Sequence, residues 1–143
     1  MNVATILKVK GRAVSTARPD TALLDITQKL AAKRIGAIVI VGESGRVAGI
    51  ISERDVIRAL AERGVEALNL PVAEIMTRNV ITCQESSPVD ELMELMTKGR
   101  FRHLPVMEDD ALVGIISIGD VVKNHIAEVE MEVSAMRGYL ATG

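Results

Sequence analysis

Gly49-Ile50-Ile51-Ser52-Glu53-Arg54-Asp55-Val56 and Gly114-Ile115-Ile116-Ser117-Ile118-Gly119-Asp120-Val121 are one phrase written twice, 65 positions apart. In each, a short apolar run ends on serine, and aspartate follows three residues later. Upstream the spacing becomes 66: Val14 matches Val80, Thr16 matches Thr82 and Arg34 matches Arg100. The lost residue falls where Gly42-Glu43-Ser44-Gly45 in the first copy is replaced by Glu108-Asp109-Asp110 in the second, as expected of turn tips, which tolerate length changes. A repeat of this length governs the architecture before any single element does.

Each copy reads in the same order. A short extended piece, near residues 14–16 and 80–82, leads into a helix. Leu23, Ile26 and Leu30 form one apolar stripe, and Val89, Leu92, Met93 and Met96 form its counterpart at helical spacing. Ser87-Pro88-Val89-Asp90 reads as a helix start, with serine as cap, proline at the first helical position and a carboxylate at the third. Two apolar strands follow, at 37–41 and 47–51 and near 104–107 and 112–116. Their continuous apolar character predicts burial on both faces. A second helix, near 53–63 and 118–129, closes each unit, and Gly64 is placed to stop the first. The expected fold is therefore α+β: two tandem β-α-β-β-α repeats, at 1–70 and 71–143, the second ending in a helical tail. Val129, Val133, Met136 and Leu140 give that tail an amphipathic stripe, suited to capping the core or meeting a second subunit.

Composition narrows the function. Apolar residues make up 48% of the 143-residue chain and mean hydropathy is +0.26, so the chain has ample surface to bury. No apolar run approaches the roughly 20 residues needed to span a bilayer. Lys8, Lys10 and Arg12 are followed by no long apolar stretch, so no export signal is read, and a cytoplasmic location is expected. With 17 basic against 19 acidic residues and only Phe101 and Tyr139 as aromatics, a nucleic-acid partner is not expected, nor is a membrane. His103, His125 and Cys83 have no metal-ligand spacing, and Cys83 reads as a small buried residue. No dinucleotide fingerprint, phosphate-loop lysine or paired catalytic carboxylates are found, so no enzyme is expected and no cofactor is required.

The repeated Ser-x-x-Asp sits at a strand-to-helix junction. Its simplest role is a capping box, in which serine caps the helix and aspartate returns the hydrogen bond. The same geometry also suits a ligand. A helix N-terminus presents unpaired N–H groups to a phosphate, and an ionised carboxylate accepts hydrogen bonds from both hydroxyls of a ribose. Such a site needs no stacked aromatic. The run Lys98, Arg100, Arg102 either complements the helix dipole or faces a phosphate.

The Gly-Ile-Ile-Ser-x-x-Asp endings, together with Arg102-His103-Leu104-Pro105-Val106, resemble the signature of cystathionine-β-synthase-type (CBS) domains, and the likeness spans about residues 3 to 127. The resemblance implies a pair of repeats packed with pseudo-two-fold symmetry that binds AMP, ADP, ATP or a related adenosyl ligand, NAD included, in the cleft between copies. It implies one site from Ser52, Arg54 and Asp55 with Ile81, Thr82, Arg102 and His103, and another from Ser117 and Asp120 with Ser15, Thr16 and Ala37. It also implies a regulatory module that associates as a homodimer and acts on a separate regulated protein. Gly36-Ala37 stands where the second copy has Arg102-His103, and Gly119 replaces Arg54. The two sites are therefore expected to be unequal, with the Asp55 site preferring phosphorylated ligands. The alternative is a ligand-silent interaction module whose motifs are caps alone.

Overall fold

The computed structural model describes residues 1–142. Its order is α1 (Val3–Lys10), β1 (Thr16–Ala17), α2 (Leu23–Lys33), β2 (Ala37–Val41), β3 (Val47–Ser52), α3 (Glu53–Arg63), two short 3-10 turns, α4 (Val89–Gly99), β4 (His103–Glu108), β5 (Ala111–Ser117) and α5 (Ile118–Thr142). The α+β repeat is thus present in the expected order. In the first copy β1 pairs in parallel with β2, and β2 antiparallel with β3. Residues Ala37 to Ile40 of β2 are all buried, so both faces of that strand are covered, whereas β3 alternates between buried and half-buried positions. The second copy keeps the β4–β5 pair. Its first strand shrinks to one parallel bridge between Cys83 and Val106, so residues 80–82 are not a strand. The turn that lost a residue places Asp109 and Asp110 at φ 48° and 65°, two successive left-handed residues that close a tight hairpin.

Two apolar cores result, and each is completed by the segment that leads into the other copy. Leu23, Ile26, Leu30, Ile38, Ile40 and Ile51 pack with Ala67, Val72 and Met76. Val89, Leu92, Met96, Leu104, Val106 and Ile116 pack with Val3, Ile6 and Leu7 of α1. The motif glycines make room for these crossings. A Cβ on Gly49 would stand 2.6 Å from Met76 Sδ and 2.8 Å from the Thr77 carbonyl, and one on Gly114 would stand 2.9 Å from a Leu7 methyl.

The crossings also revise two readings of the sequence. Ser87 does not cap α4: Pro88 occupies the cap position, the Val89 N–H donates to the Met1 carbonyl, and Ser87 Oγ accepts from the Gln84 N–H at 3.0 Å. A backbone carbonyl from the N-terminus has taken over a role that local sequence assigned to the serine. The second correction concerns the tail, which is not a separate helix but the continuation of α5, unbroken from Ile118 to Thr142. Val129, Val133, Met136 and Leu140 lie exposed on it, so they do not cap either core. Gly64, at φ 73°, stops α3 as read.

Candidate functional site

Both Ser-x-x-Asp junctions fold as capping boxes. At the first, the Asp55 N–H donates to Ser52 Oγ at 3.3 Å, while the Ser52 N–H and hydroxyl donate to Asp55 Oδ2 at 2.9 and 3.0 Å. At the second the corresponding distances are 3.2, 2.9 and 2.9 Å. The capping function is therefore real in both copies, and it occupies only one oxygen of each carboxylate.

Beyond the cap the junctions differ. The first opens into a cavity of about 400 Å³, within the range of small-molecule sites. Ser52, Glu53, Arg54 and Asp55 line one side; Ile81, Arg100, Phe101, Arg102 and His103 line the other. The cavity therefore lies between copies and gathers Ser52, Arg54, Asp55, Ile81, Arg102 and His103, while Thr82 is not among its walls. Arg54, Arg58, Arg100 and Arg102 face it against the two carboxylates of Glu53 and Asp55, so its fixed charge is positive. Lys98 takes no part. Arg100 and its repeat partner Arg34 both end their helices in the left-handed conformation, at φ 55° and 53°. Glycine is the usual residue there.

His103 contributes polarity rather than charge. Burial, reinforced by the positive charge of Lys10, lowers its pKa below the ordinary 6.5, and Glu53 and Asp120 offset this only in part. Its ring reaches the first copy, where a Cβ on Gly36 would lie 3.0 Å from Nε2. The missing side chain at Gly36 thus leaves the space that His103 fills.

The second junction is filled from within. Lys10 Nζ, at the end of α1, donates to Asp120 Oδ2 at 2.6 Å and to the Ile115 carbonyl at 2.7 Å. Burial opposes ionisation of Asp120, but the hydrogen bonds from Lys10 and Ser117 outweigh it and hold the carboxyl below its usual range. Ser15 Oγ accepts from Lys33 at 3.3 Å, the Thr16 carbonyl accepts from Lys29, and Ala37 is buried in β2. Ser117, Asp120, Ser15, Thr16 and Ala37 do not line the cavity at Asp55.

Sequence reading overlooked Phe101, Asn79, Thr77, Arg58 and Lys10. Phe101 packs beside the second core and presents the cavity with an aromatic wall. Thr77 and Asn79 were accessible in principle, because the 66-residue spacing extends to Arg12 and Arg78 and marks that linker as part of the repeat. Cys83 is buried, and burial with the nearby charge of Glu91 pushes its thiol up to about 12, so it stays protonated at neutral pH. Among the described residues, no cluster of His, Cys, Asp and Glu could hold a metal ion, and no helix is long and apolar enough to cross a membrane.

A duplicated α+β unit with a charged cavity between its copies defines the class: a tandem-repeat module with a cleft between its two halves. Comparison with known proteins makes the assignment. The CBS domain family model matches residues 9–62 and 72–126, and the chain belongs to that family as a CBS domain pair. Among solved structures, the CBS-domain protein ATU1752 from Agrobacterium tumefaciens is 48% identical with a TM-score of 0.83, over 85% of this chain and 91% of that one. The CBS domain pair of protein MJ0100, solved with 5'-methylthioadenosine and S-adenosyl-L-methionine, is 31% identical with a TM-score of 0.80, over 90% and 98%. The CBS domain protein PAE2072 from Pyrobaculum aerophilum, complexed with AMP, is 28% identical with a TM-score of 0.75, over 84% and 89%.

Proposed function

We propose that this CBS pair is a cytoplasmic regulatory sensor that binds one adenine nucleotide per chain without consuming it, and that occupancy alters its hold on a regulated protein. The observation that carries this reading is the cavity between copies, which sets a capped carboxylate at a helix N-terminus opposite a cluster of arginines. Asp55 Oδ1, which the cap leaves unused and which only the exposed Arg58 approaches, at 3.8 Å, suits ribose hydroxyls; the N-terminus of α3 and the arginines suit phosphate, and Ile81 and Phe101 offer apolar contact to a base. AMP, ADP and ATP fit this chemistry, and NAD shares the adenosine and phosphate that it recognises. The solved relatives with AMP and with S-adenosyl-L-methionine support the adenosyl part of the reading.

Calorimetry with AMP, ADP, ATP, NAD and adenosine tests it. Saturable heat with at least one nucleotide, recovery of that ligand unchanged, and a raised melting temperature are expected, because a ligand that binds only the folded state stabilises it. Folded protein that gives neither heat nor thermal shift with any of them is instead a ligand-silent interaction module whose Ser-x-x-Asp motifs serve as caps.

A further inference from the structure

Arg102 and His103 belong to both strand-to-helix junctions. Their side chains line the cavity at Asp55. Their backbone belongs to the other junction: the Arg102 carbonyl accepts from the Ile118 N–H at 2.8 Å, where α5 begins, and His103 stands opposite Ser117 in the β4–β5 register. Ser117 in turn holds Asp120 Oδ2 through its N–H and its hydroxyl, both at 2.9 Å, and Lys10 Nζ reaches the same oxygen at 2.6 Å. The charges acting on the His103 ring are Lys10 at the end of α1, Glu53 at the start of α3, Asp120 in the first turn of α5 and the neighbouring Arg102. The Lys10–Asp120 pair is partly exposed, with 31% and 22% of the two side chains accessible, and pairs of this kind are marginal. It can open without unpacking α1, which the core holds through Val3, Ile6 and Leu7.

We propose that Lys10 is a latch that reads the occupancy of the Asp55 cavity: a phosphate held against His103 releases the Lys10 ammonium from Asp120, and with it the end of α1. The latch takes its trigger from the nucleotide reading above. Its sign follows from charge. With the cavity empty, burial and Lys10 keep the His103 ring neutral at pH 7. A phosphate against the ring favours the imidazolium. That cation then stands near Asp120 as a competing partner and near Lys10 as a like charge, and both effects weaken the ion pair. A ligand that fills the cavity without a phosphate leaves the ring neutral and the latch closed. Two states of α1, Lys10 bound and Lys10 free, are thereby biased from a site that Lys10 does not line. The coupling is reciprocal, so a free Lys10 favours the bound nucleotide by the same factor.

Reductive methylation of the lysines in the whole chain, read by mass spectrometry, tests the latch, with the exposed Lys8 of the same helix as internal reference. Saturating AMP, with saturation checked by calorimetry, should raise the Lys10 rate relative to Lys8 about threefold, the scale of a partly exposed ion pair. Adenosine should leave it unchanged. Asp120→Asn should show the raised rate without ligand and no further rise with AMP. His103→Gln, brought to saturation at whatever AMP concentration it needs, should lose the rise, because glutamine keeps a polar side chain but takes up no proton. Folded protein that gives no heat with AMP defeats the nucleotide reading and removes the trigger with it. Heat with AMP but an unchanged Lys10 rate, an equal rise with adenosine, a rise that persists in His103→Gln, or an Asp120→Asn rate no higher than wild type overturns the latch alone.

Discussion

The two strand-to-helix junctions share their serine, their aspartate and a hydrogen-bond pattern that agrees to within a tenth of an ångström, yet one opens onto a cavity and the other is closed by a lysine. The difference originates outside the junctions. Position 10, which crosses to the second copy, is lysine; its repeat partner, position 76, is methionine. Lys10 reaches Asp120, whereas Met76 packs into the first core and leaves Asp55 facing the cleft. Duplication preserved the caps because each copy needs them to start a helix. Divergence then acted on the crossing segments, where one side chain decides whether the capped carboxylate faces an open cleft or a lysine.

The sharpest way to break this comparison is to remove the two aspartates in turn. Each loses the same capping interaction, about 1 kcal/mol of stability, and Asp120→Ala loses in addition the partly exposed ion pair with Lys10, so binding is compared on variants whose folding has been checked. Asp55→Ala is expected to weaken AMP binding by a factor of about 100 or more, since charge-assisted hydrogen bonds contribute about 1.5–3 kcal/mol each and two ribose hydroxyls are involved. Asp120→Ala should change it by no more than about threefold on the same scale. Calorimetry decides, and a larger loss from Asp120→Ala assigns the ligand to the other junction.

Arg102→Ala comes next. It removes one of four arginines lining the open cavity, and a loss of roughly tenfold or more is expected for AMP or ATP, with adenosine nearly unaffected. The gap between AMP and adenosine should narrow in high salt, because part of it is exposed electrostatics. Equal losses for both ligands would mean that Arg102 holds the cavity's shape rather than a phosphate.

Lys10→Met makes the second junction resemble the first. It should free Asp120 and raise nucleoside stoichiometry from one to two per chain. The ion pair is partly exposed, so the stability change is expected to stay near or below about 1 kcal/mol. The pH dependence follows from the sign of the shift. The folded-state carboxyl is held below 3.8, so its contribution is present above 3.8 and is lost as pH falls through the folded value. In Lys10→Met that loss should be smaller and should end at a higher pH, because the lysine no longer holds the folded carboxyl down. An unchanged stoichiometry would show that Lys10 is not what closes the site.

The smallest expected effect concerns His103. Its folded pKa lies below 6.5, so the unfolded chain holds the proton more tightly, and stability falls as pH drops below 6.5. A bound phosphate would draw that proton back into the cavity. Relative to His103→Gln, wild-type affinity for AMP should therefore gain a few-fold as pH falls from about 7 to 6, on the scale of one weak charge interaction. Parallel pH profiles for the two proteins would place the phosphate away from the ring.

Much of the architecture was legible because its signals are local. Leu23, Ile26 and Leu30 recur at helical spacing and are buried together; α3 starts and stops at Ser52 and Gly64 as read. The error at Ser87 has the same root: a local cap signal was outcompeted by the Met1 carbonyl, 88 positions away from the N–H it receives. The cavity was legible in part. Arg102 and His103 stood out beside Gly36 and Ala37 in the repeat comparison. Phe101 did not, because a lone aromatic carries no periodicity.

The sequence by itself determined the duplication, the order of elements, both capping boxes and the family, since each rests on residues within a few positions of one another or on a repeat visible along the chain. Tertiary structure alone decided that α1 completes the second core, that Lys10 fills the Asp120 junction, and that Asp55 faces Arg102 across a cavity. Those contacts join residues as far as 110 positions apart. No local propensity encodes such a meeting; it follows from two half-covered cores each borrowing the segment that passes over it.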